Sequence, residues 1–306
     1  MILGIQPDNY FPTGEFAIKC YLPDESSQIA FFIHPEKQRS WVESVLYGLQ
    51  QLSSQNNEMK SNSIHTLTDV TFHPYGDVLS IICLVDGQRV NILVNDVKHL
   101  REAAYLEQCN TLVAKQHLFK RSLILLKAWW RYESGIQSFS DMALPILILA
   151  IINKYHRILQ SPLQVLSLFF QYYADFDWPE RWVSIERIGH INAPSTERSE
   201  EGYSVHFSQE VLISRDIVDK YRPAAEKPTF SSLSSFGTPI LSNNFISSSI
   251  NIVDPFSREN IVYGAGSEDI LSTLSNTIRE TAKKMTEVLV ENKKVENSES
   301  SSHDWL

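Results

Sequence analysis

Oxygen-bearing side chains recur at alternate positions in Tyr21-Leu22-Pro23-Asp24-Glu25-Ser26-Ser27-Gln28, so an extended strand there would put Asp24, Ser26 and Gln28 on one face. Oxygen donors on one face can hold a divalent cation, and a face rich in carboxylates can support metal-assisted phosphoryl transfer. That reaction needs carboxylates on one side of adjacent strands, because two cations about 3.5–4 Å apart must clamp the attacking and leaving oxygens. Only Asp24 is charged. Magnesium favours carboxylates and substrate phosphates, so an aspartate beside a hydroxyl and a carboxamide would hold it poorly. Glu25, Asp86 and Asp96 are possible substitutes, but Glu25 points to the opposite face of a regular strand and Asp86 sits at a hairpin tip. Further along, Lys127 and Arg131 stand four apart on one helix face. They read either as an anion-binding pair or as snorkelling side chains on an amphipathic helix.

The elements that must position these groups fall into two blocks. Residues 14–35 read as two strands around a Pro-Asp break, the first carrying Ala17, Ile18 and Tyr21, the second Ile29 to Ile33. Residues 38–52 change to helical spacing, with Trp41, Val42, Val45, Leu46 and Leu49, and Ser53 to Ser63 is a polar loop. Three more strands follow around Val70-Phe72, Val78-Val85 and Arg89-Val94, the last two joined by Asp86-Gly87, a strong hairpin signal. A mixed sheet with one covering helix is expected for residues 1–96. From Val97 to Ala174 the pattern is helical, with Pro162 at a first turn after Ser161. Loops rich in Ser, Pro and Asn follow Trp178-Pro179. A last helix is expected from Glu268 to Val290 with Ser267 as its N-cap, then a disordered polar tail over 291–306.

Composition narrows the function classes. A chain of 306 residues with 43% apolar content can build a core. A net charge of −9 supplies no broad basic field for nucleic acid, so RNA contact would need a local patch. Cys20, Cys83 and Cys109 are far apart and in no C-x-x-C pair, and the nine histidines form no H-x-x-x-H pair. Free thiols in a reducing compartment fit better than disulfides or zinc. The start has no basic region before a long apolar run, and Met142 to Ile152 is too short for a bilayer span of about 20 residues. The expectation is a cytoplasmic or nuclear protein without a membrane partner.

Gly14-Glu15 followed by Tyr21-Leu22-Pro23-Asp24 resembles the signature of the DNA polymerase β-like nucleotidyltransferases. The likeness is greatest to the non-canonical poly(A) polymerases and terminal uridylyltransferases of the plant type. Leu106-Glu107-Gln108, the block Leu118 to Ser134, Phe176-Asp177-Trp178, and Asn251-Ile252-Val253-Asp254-Pro255-Phe256 with Asn260 follow in the family's order. The resemblance implies an α+β chain. Residues 1–110 would be a small mixed-sheet nucleotidyltransferase palm, and residues 111–290 a mainly helical PAP/OAS1-like substrate-binding domain, with nucleotide in the cleft between them.

It also implies that the metal-ligand positions are Ser26, Gln28 and, within Val90-Asn91-Ile92 on a neighbouring strand, Asn91. All three lack a carboxylate. Glu15 replaces the family's phosphate-contacting serine, where a carboxylate would repel phosphate. A residual nucleotide site would comprise Lys127, Arg131, Ser140, Asp254 and Asn260. Beside Ser140, Asp141 and Met142 replace a phosphate-binding hydroxyl and a base-stacking tyrosine. Asp254 and Asn260 read equally as loop-holding residues. The resulting expectation is a catalytically inactive nucleotidyltransferase-like protein without a cofactor, acting as a binding or scaffold subunit in RNA metabolism. Its partner would be a protein, an active homologue among the candidates, docking on a surface that bears Trp129, Trp130, Tyr132, Trp178 and Trp182. The alternative is an active RNA 3′-end nucleotidyltransferase using magnesium or manganese. Metal-free RNA binding through Lys115, Lys120, Arg121, Lys127 and Arg131 is a third reading.

Overall fold

A computed structural model describes residues 10–58, 65–75, 78–136, 140–192, 211–222, 241–262 and 268–301. The chain divides into two compact units, residues 1–108 and 109–306.

The first unit is built on a five-stranded sheet: β1 (Tyr10–Pro12), β2 (Ser27–Phe31), β3 (Leu67–Tyr75), β4 (Val78–Val85) and β5 (Gln88–Val94), in the order β1-β2-β5-β4-β3. β2 and β5 are parallel, and the other neighbours antiparallel, so the sheet is mixed as expected. Asp86 and Gly87 both adopt positive φ, the geometry of a two-residue hairpin turn between β4 and β5. Residues Trp41 to Leu49 lie on α2 (Gln38–Glu58), which packs Val42 and Val45 on Ile81 and Val94 of one sheet face. Two local expectations change. The first strand expected in 14–35 is instead α1 (Gly14–Ile18), ended by Lys19 in the left-handed conformation. A segment this short, with only Phe16, Ala17 and Ile18 apolar, does not distinguish strand from helix by periodicity. α2 also continues through the expected loop as far as Glu58, because extending a formed helix fixes one residue per added bond.

The second unit is mainly helical. α3 (Val97–Val113) crosses the boundary, and α4 (Leu118–Tyr132), α5 (Ala143–Tyr155) and α6 (Pro162–Ala174) follow. α5 is apolar on all sides and buried from Ala143 to Asn153. Tyr173 of α6 donates its hydroxyl hydrogen to Leu147 O at 3.1 Å and stacks on Trp178. Ser161 and Gln164 form a reciprocal capping box at the start of α6. The loop region also contains a short hairpin, β6 (Arg181–Val183) with β7 (Ile188–His190), and α7 (Arg215–Tyr221). α8 (Glu268–Ser301) passes Val290, where a disordered tail was expected, since no Gly or Pro interrupts a run rich in Glu, Lys and Asn. Ser267 and residues 302–306 lie outside the described residues. Among the described residues, no helix is long and apolar enough to cross a membrane.

Candidate functional site

In the first unit the site positions lie on the sheet face opposite α2. The α2 side is set by Ile81, Ile92 and Val94, and strand alternation turns Gln28, Ser80 and Asn91 the other way. Gln28 pairs directly with Asn91 across the parallel β2–β5 ladder. Ser80 on β4 donates its hydroxyl to Asn91 Oδ1 at 2.5 Å. Ser26 sits just ahead of β2. Asp24 lies in the Pro23-Asp24 turn, not on the strand, so the expected single row of Asp24, Ser26 and Gln28 is broken at its charged end.

Gln28 is held by the start of α1. The Thr13 amide donates to Gln28 O at 3.0 Å. Gly14 has φ of +57°, and a Cβ there would lie 2.4 Å from Gln28 Oε1. The side-chain carbonyl therefore packs against the glycine backbone, in space that only glycine leaves open. Gln28 Oε1 and Thr13 Oγ1 are buried with no hydrogen-bond partner. Glu15 occupies the first turn of α1. Two carboxamides, one already accepting from a serine, and a hydroxyl suit magnesium badly, since none contributes negative charge. Among the described residues, no group of three or more His, Cys, Asp or Glu converges as metal ligands would.

The substitute carboxylates have structural partners. Glu25 accepts the Leu22 amide at 2.7 Å. Asp86 accepts from the Thr66 amide and hydroxyl and pairs with His65 at 2.6 Å. The Thr66 amide and the His65 ring hold its carboxyl below the ordinary range. Asp96 caps α3, accepting the His99 amide at 3.2 Å and meeting His99 Nδ1 at 2.5 Å. Burial pushes the Asp96 carboxyl up, but the hydrogen bond and charge of His99 outweigh it and the net shift is downward. The same contact with Asp96 raises His99.

In the second unit Lys127 is on the inner side of α4, only 6% exposed, whereas Arg131 is exposed near the helix end. Ser140 is exposed, and its carbonyl accepts the Ala143 amide at 2.8 Å as α5 begins. Asp141 is exposed beside it and Met142 is buried. Residues 137–139 of the shortened loop lie outside the described residues. Lys115 turns inward, its ammonium donating to the carbonyls of His156 and Leu159 at the end of α5. Of the proposed docking rings, Trp130, Trp178 and Trp182 are buried, and Trp129 bonds Thr281 of α8 through Nε1 at 3.1 Å. Tyr132 is exposed.

The late loop is braced from within. Asn251 donates through Nδ2 to Trp178 O at 3.0 Å, tying two of the resemblance blocks together. Asp254 Oδ1 accepts the amides of Phe256 and Ser257 at 2.7 and 2.8 Å. Asn260 Oδ1 accepts the amides of Ile252 and Val262, while Nδ2 faces Ile246 O, Ser248 Oγ, Ile250 O and Asn251 Oδ1.

An ion network anchors the same loop, and sequence reasoning missed it. Arg222 donates to Pro255 O at 3.3 Å and pairs with Asp219 at 3.4 Å, and Arg215 lies 3.8 Å from Asp219. Burial raises the Glu186 carboxyl, partly offset by Arg258, Arg215 and Arg187. Burial, then the charges of Arg215 and Arg222, bring Arg258 down to about 10. Arg215, Asp219 and Arg222 share the helical spacing of α7, but Glu186, Pro255 and Arg258 come from other segments, and no spacing in the sequence joins those to α7.

The mixed sheet with its parallel β2–β5 pair, followed by the helical unit, defines a nucleotidyltransferase fold coupled to a substrate-binding domain. Residues 113–302 match the PAP/OAS1 substrate-binding domain family, and the chain belongs to that family. Among solved structures it is similar to the Cid1 poly(U) polymerase bound to MgATP, at 13% identity and a TM-score of 0.54, over 90% of this chain and 81% of that one. It is similar to mtPAP in complex with UTP at 10% identity and a TM-score of 0.57, over 90% of this chain and 60% of that one. A cytoplasmic RNA terminal U-transferase matches at 13% identity and a TM-score of 0.51, over 91% and 81%. Identities this low establish the shared fold. No curated protein matches the chain with significant similarity.

Proposed function

We propose that this protein is a catalytically inactive relative of the RNA-tailing nucleotidyltransferases that acts as a binding or scaffold subunit in RNA metabolism. The observation that carries the reading is the in-register pairing of Gln28 with Asn91. The two strands that should present carboxylates to a metal pair present carboxamides instead. Ser26 adds a hydroxyl, and of the substitute carboxylates Glu25 and Asp86 accept backbone amides and Asp96 meets His99. The reading therefore includes no metal cofactor. Lys127, Arg131 and Ser140 are assigned to weak residual nucleotide or RNA contact, and Asp254 and Asn260 to shaping the loop beside it. The partner is assigned as a protein.

The test is incubation of the purified chain with an RNA oligonucleotide, labelled nucleoside triphosphates and magnesium or manganese, beside an Asp24→Ala control. No extension with either metal is expected. Extension that Asp24→Ala abolishes would overturn the proposal in favour of an active RNA 3′-end nucleotidyltransferase. Residual contact is read separately by nucleotide titration, where Lys127→Ala should remove what binding remains. RNA contact through the basic side chains of α4 should weaken steeply with salt, because neutralised phosphates release counterions.

A further inference from the structure

We propose that the groove between α6 and α8 docks an acidic amphipathic helix of a protein partner. This rests on the scaffold reading above, and gives it a surface and a partner chemistry.

The groove arises because α8 carries one apolar stripe farther than its neighbours cover. Leu274 and Ile278 are fully buried, and Arg279 ties α8 to the end of α6 by donating to Ala174 O at 3.3 Å. The stripe then continues through Met285 to Val288 and Leu289, which are 55% and 46% exposed. Across from them, Leu163 at the start of α6 is 65% exposed, and Ile158 in the preceding turn is 67% exposed. With Leu168 these side chains line a groove of about 850 Å³. Isolated exposed apolar residues need no explanation, but a contiguous concave patch marks an interaction site.

The shape and charge of the groove select its occupant. The α6 side of the lining runs from Leu163 to Gln171, about 12 Å of helix, which suits a helix presenting apolar residues at i, i+3, i+4 and i+7. Among the described residues, Lys284 is the one charged side chain lining the groove. Arg157 is exposed next to Ile158, and the Lys115 ammonium sits behind Leu159. An acidic helix meets this basic rim favourably. A two-fold contact with a second copy would bring two basic rims into one interface, and a flat bilayer does not fill a concave trough.

The test is fluorescence anisotropy of the full chain with a labelled peptide of about four turns, with leucines at those spacings and glutamates elsewhere. A matched peptide with lysines for glutamates serves as control. The acidic peptide should bind and weaken with salt; Leu163→Glu and Val288→Glu should each weaken it at least about tenfold, and Lys284→Glu less. These residues are exposed, so unchanged circular dichroism and melting will show that the variants fold. Equal binding of both peptides, or acidic-peptide binding indifferent to the substitutions, would overturn the proposal, as would no binding. A concentration-dependent dimer dissociated by Val288→Glu would reassign the groove to a second copy. Binding to phosphatidylserine vesicles lost in the same variant would reassign it to a lipid surface. RNA extension by the unmodified chain would remove the scaffold reading while leaving peptide binding intact, so the two failures are distinguishable.

Discussion

Replacing Asn260 with alanine tests whether the late loop is held or reads a base. Its carboxamide offers two lone pairs and two hydrogens. The lone pairs serve the Ile252 and Val262 amides at 3.2 and 3.1 Å. The two hydrogens are shared among four acceptors, Ile250 O being the nearest at 3.0 Å. The residue is buried, so alanine deprives the Ile252 and Val262 amides of their side-chain acceptor, while Ile250 O keeps the Ser248 hydroxyl at 2.7 Å. Four bonds at a net value of about 1 kcal/mol each give about 4 kcal/mol, reduced to about 3 kcal/mol where water enters the space. In a unit of this size that lowers Tm by about 6–12 °C. Asn260→Asp keeps the accepting oxygens but loses both donors and faces acceptors, so it should cost at least as much. Thermal denaturation followed by circular dichroism, paired with nucleotide titration, reads the result. A Tm within about 2 °C of the parent together with lost nucleotide affinity would refute the loop-holding argument and make Asn260 a base contact.

Gly14→Ala should destabilise the first unit by about 1 kcal/mol from the left-handed backbone alone. It should cost less in a Gln28→Ala background, and an equal shift in urea midpoint on Gly14→Ala in both backgrounds would show that Gly14 and Gln28 do not touch. Ser161→Ala removes the α6 capping box and should cost about 1 kcal/mol, or about 2–4 °C in Tm; an unchanged melt would show the cap to be redundant. The Asp96–His99 pair should make stability depend on pH. His99 is raised above 6.5, so its contribution is complete below that value and lost as pH climbs through the folded pKa. Asp96 is lowered below 3.8, so its contribution is complete above that value and lost as pH falls through the folded pKa. Support is therefore fullest between about pH 4 and 6.5, and urea midpoints across pH should flatten in Asp96→Asn if the pair is responsible.

The legible parts of the fold were those with local chemistry that admits one geometry. Asp86-Gly87 announces its hairpin because the turn demands positive φ, and Ser161-Pro162 announces α6 because capping box and proline agree. α1 was not legible, because Ala17 and Ile18 fit either a strand or a helical turn until Gly14 and Lys19 take up left-handed conformations at its two ends. β6 and β7 have three residues each, too few to show an alternation. At the site, Gln28 and Asn91 could be placed together, since a strand's period of two and the resemblance leave little freedom. Asp24 could not, because the Pro23-Asp24 turn delays β2 until Ser27. The Glu186 and Arg258 network stayed hidden for a different reason. Its members gain meaning only when three segments, the β6–β7 turn, α7 and the late loop, fold together.

The two faces of the first sheet bear differently on carboxylates at Ser26, Gln28 and Asn91, the positions that the proposal above assigns to missing metal ligands. Behind the sheet, Val42, Val45, Ile81 and Val94 form a packed layer against α2 that does not depend on the site. In front, three carboxylates at Ser26, Gln28 and Asn91 would crowd like charges on a half-buried surface, tolerable only while cations neutralise them. Without bound cations such carboxylates would repel one another, whereas two carboxamides and a hydroxyl carry no charge. Restoring all three aspartates should therefore destabilise the protein at pH 7 without metal. The penalty should shrink on acidification, because repulsion raises the folded pKa values, and also on addition of magnesium or manganese. Urea denaturation at pH 5 and 7 with and without metal measures this. A restored triad whose stability ignores both pH and metal would mean that the three positions do not converge, and that the absence of carboxylates there never bore on catalysis.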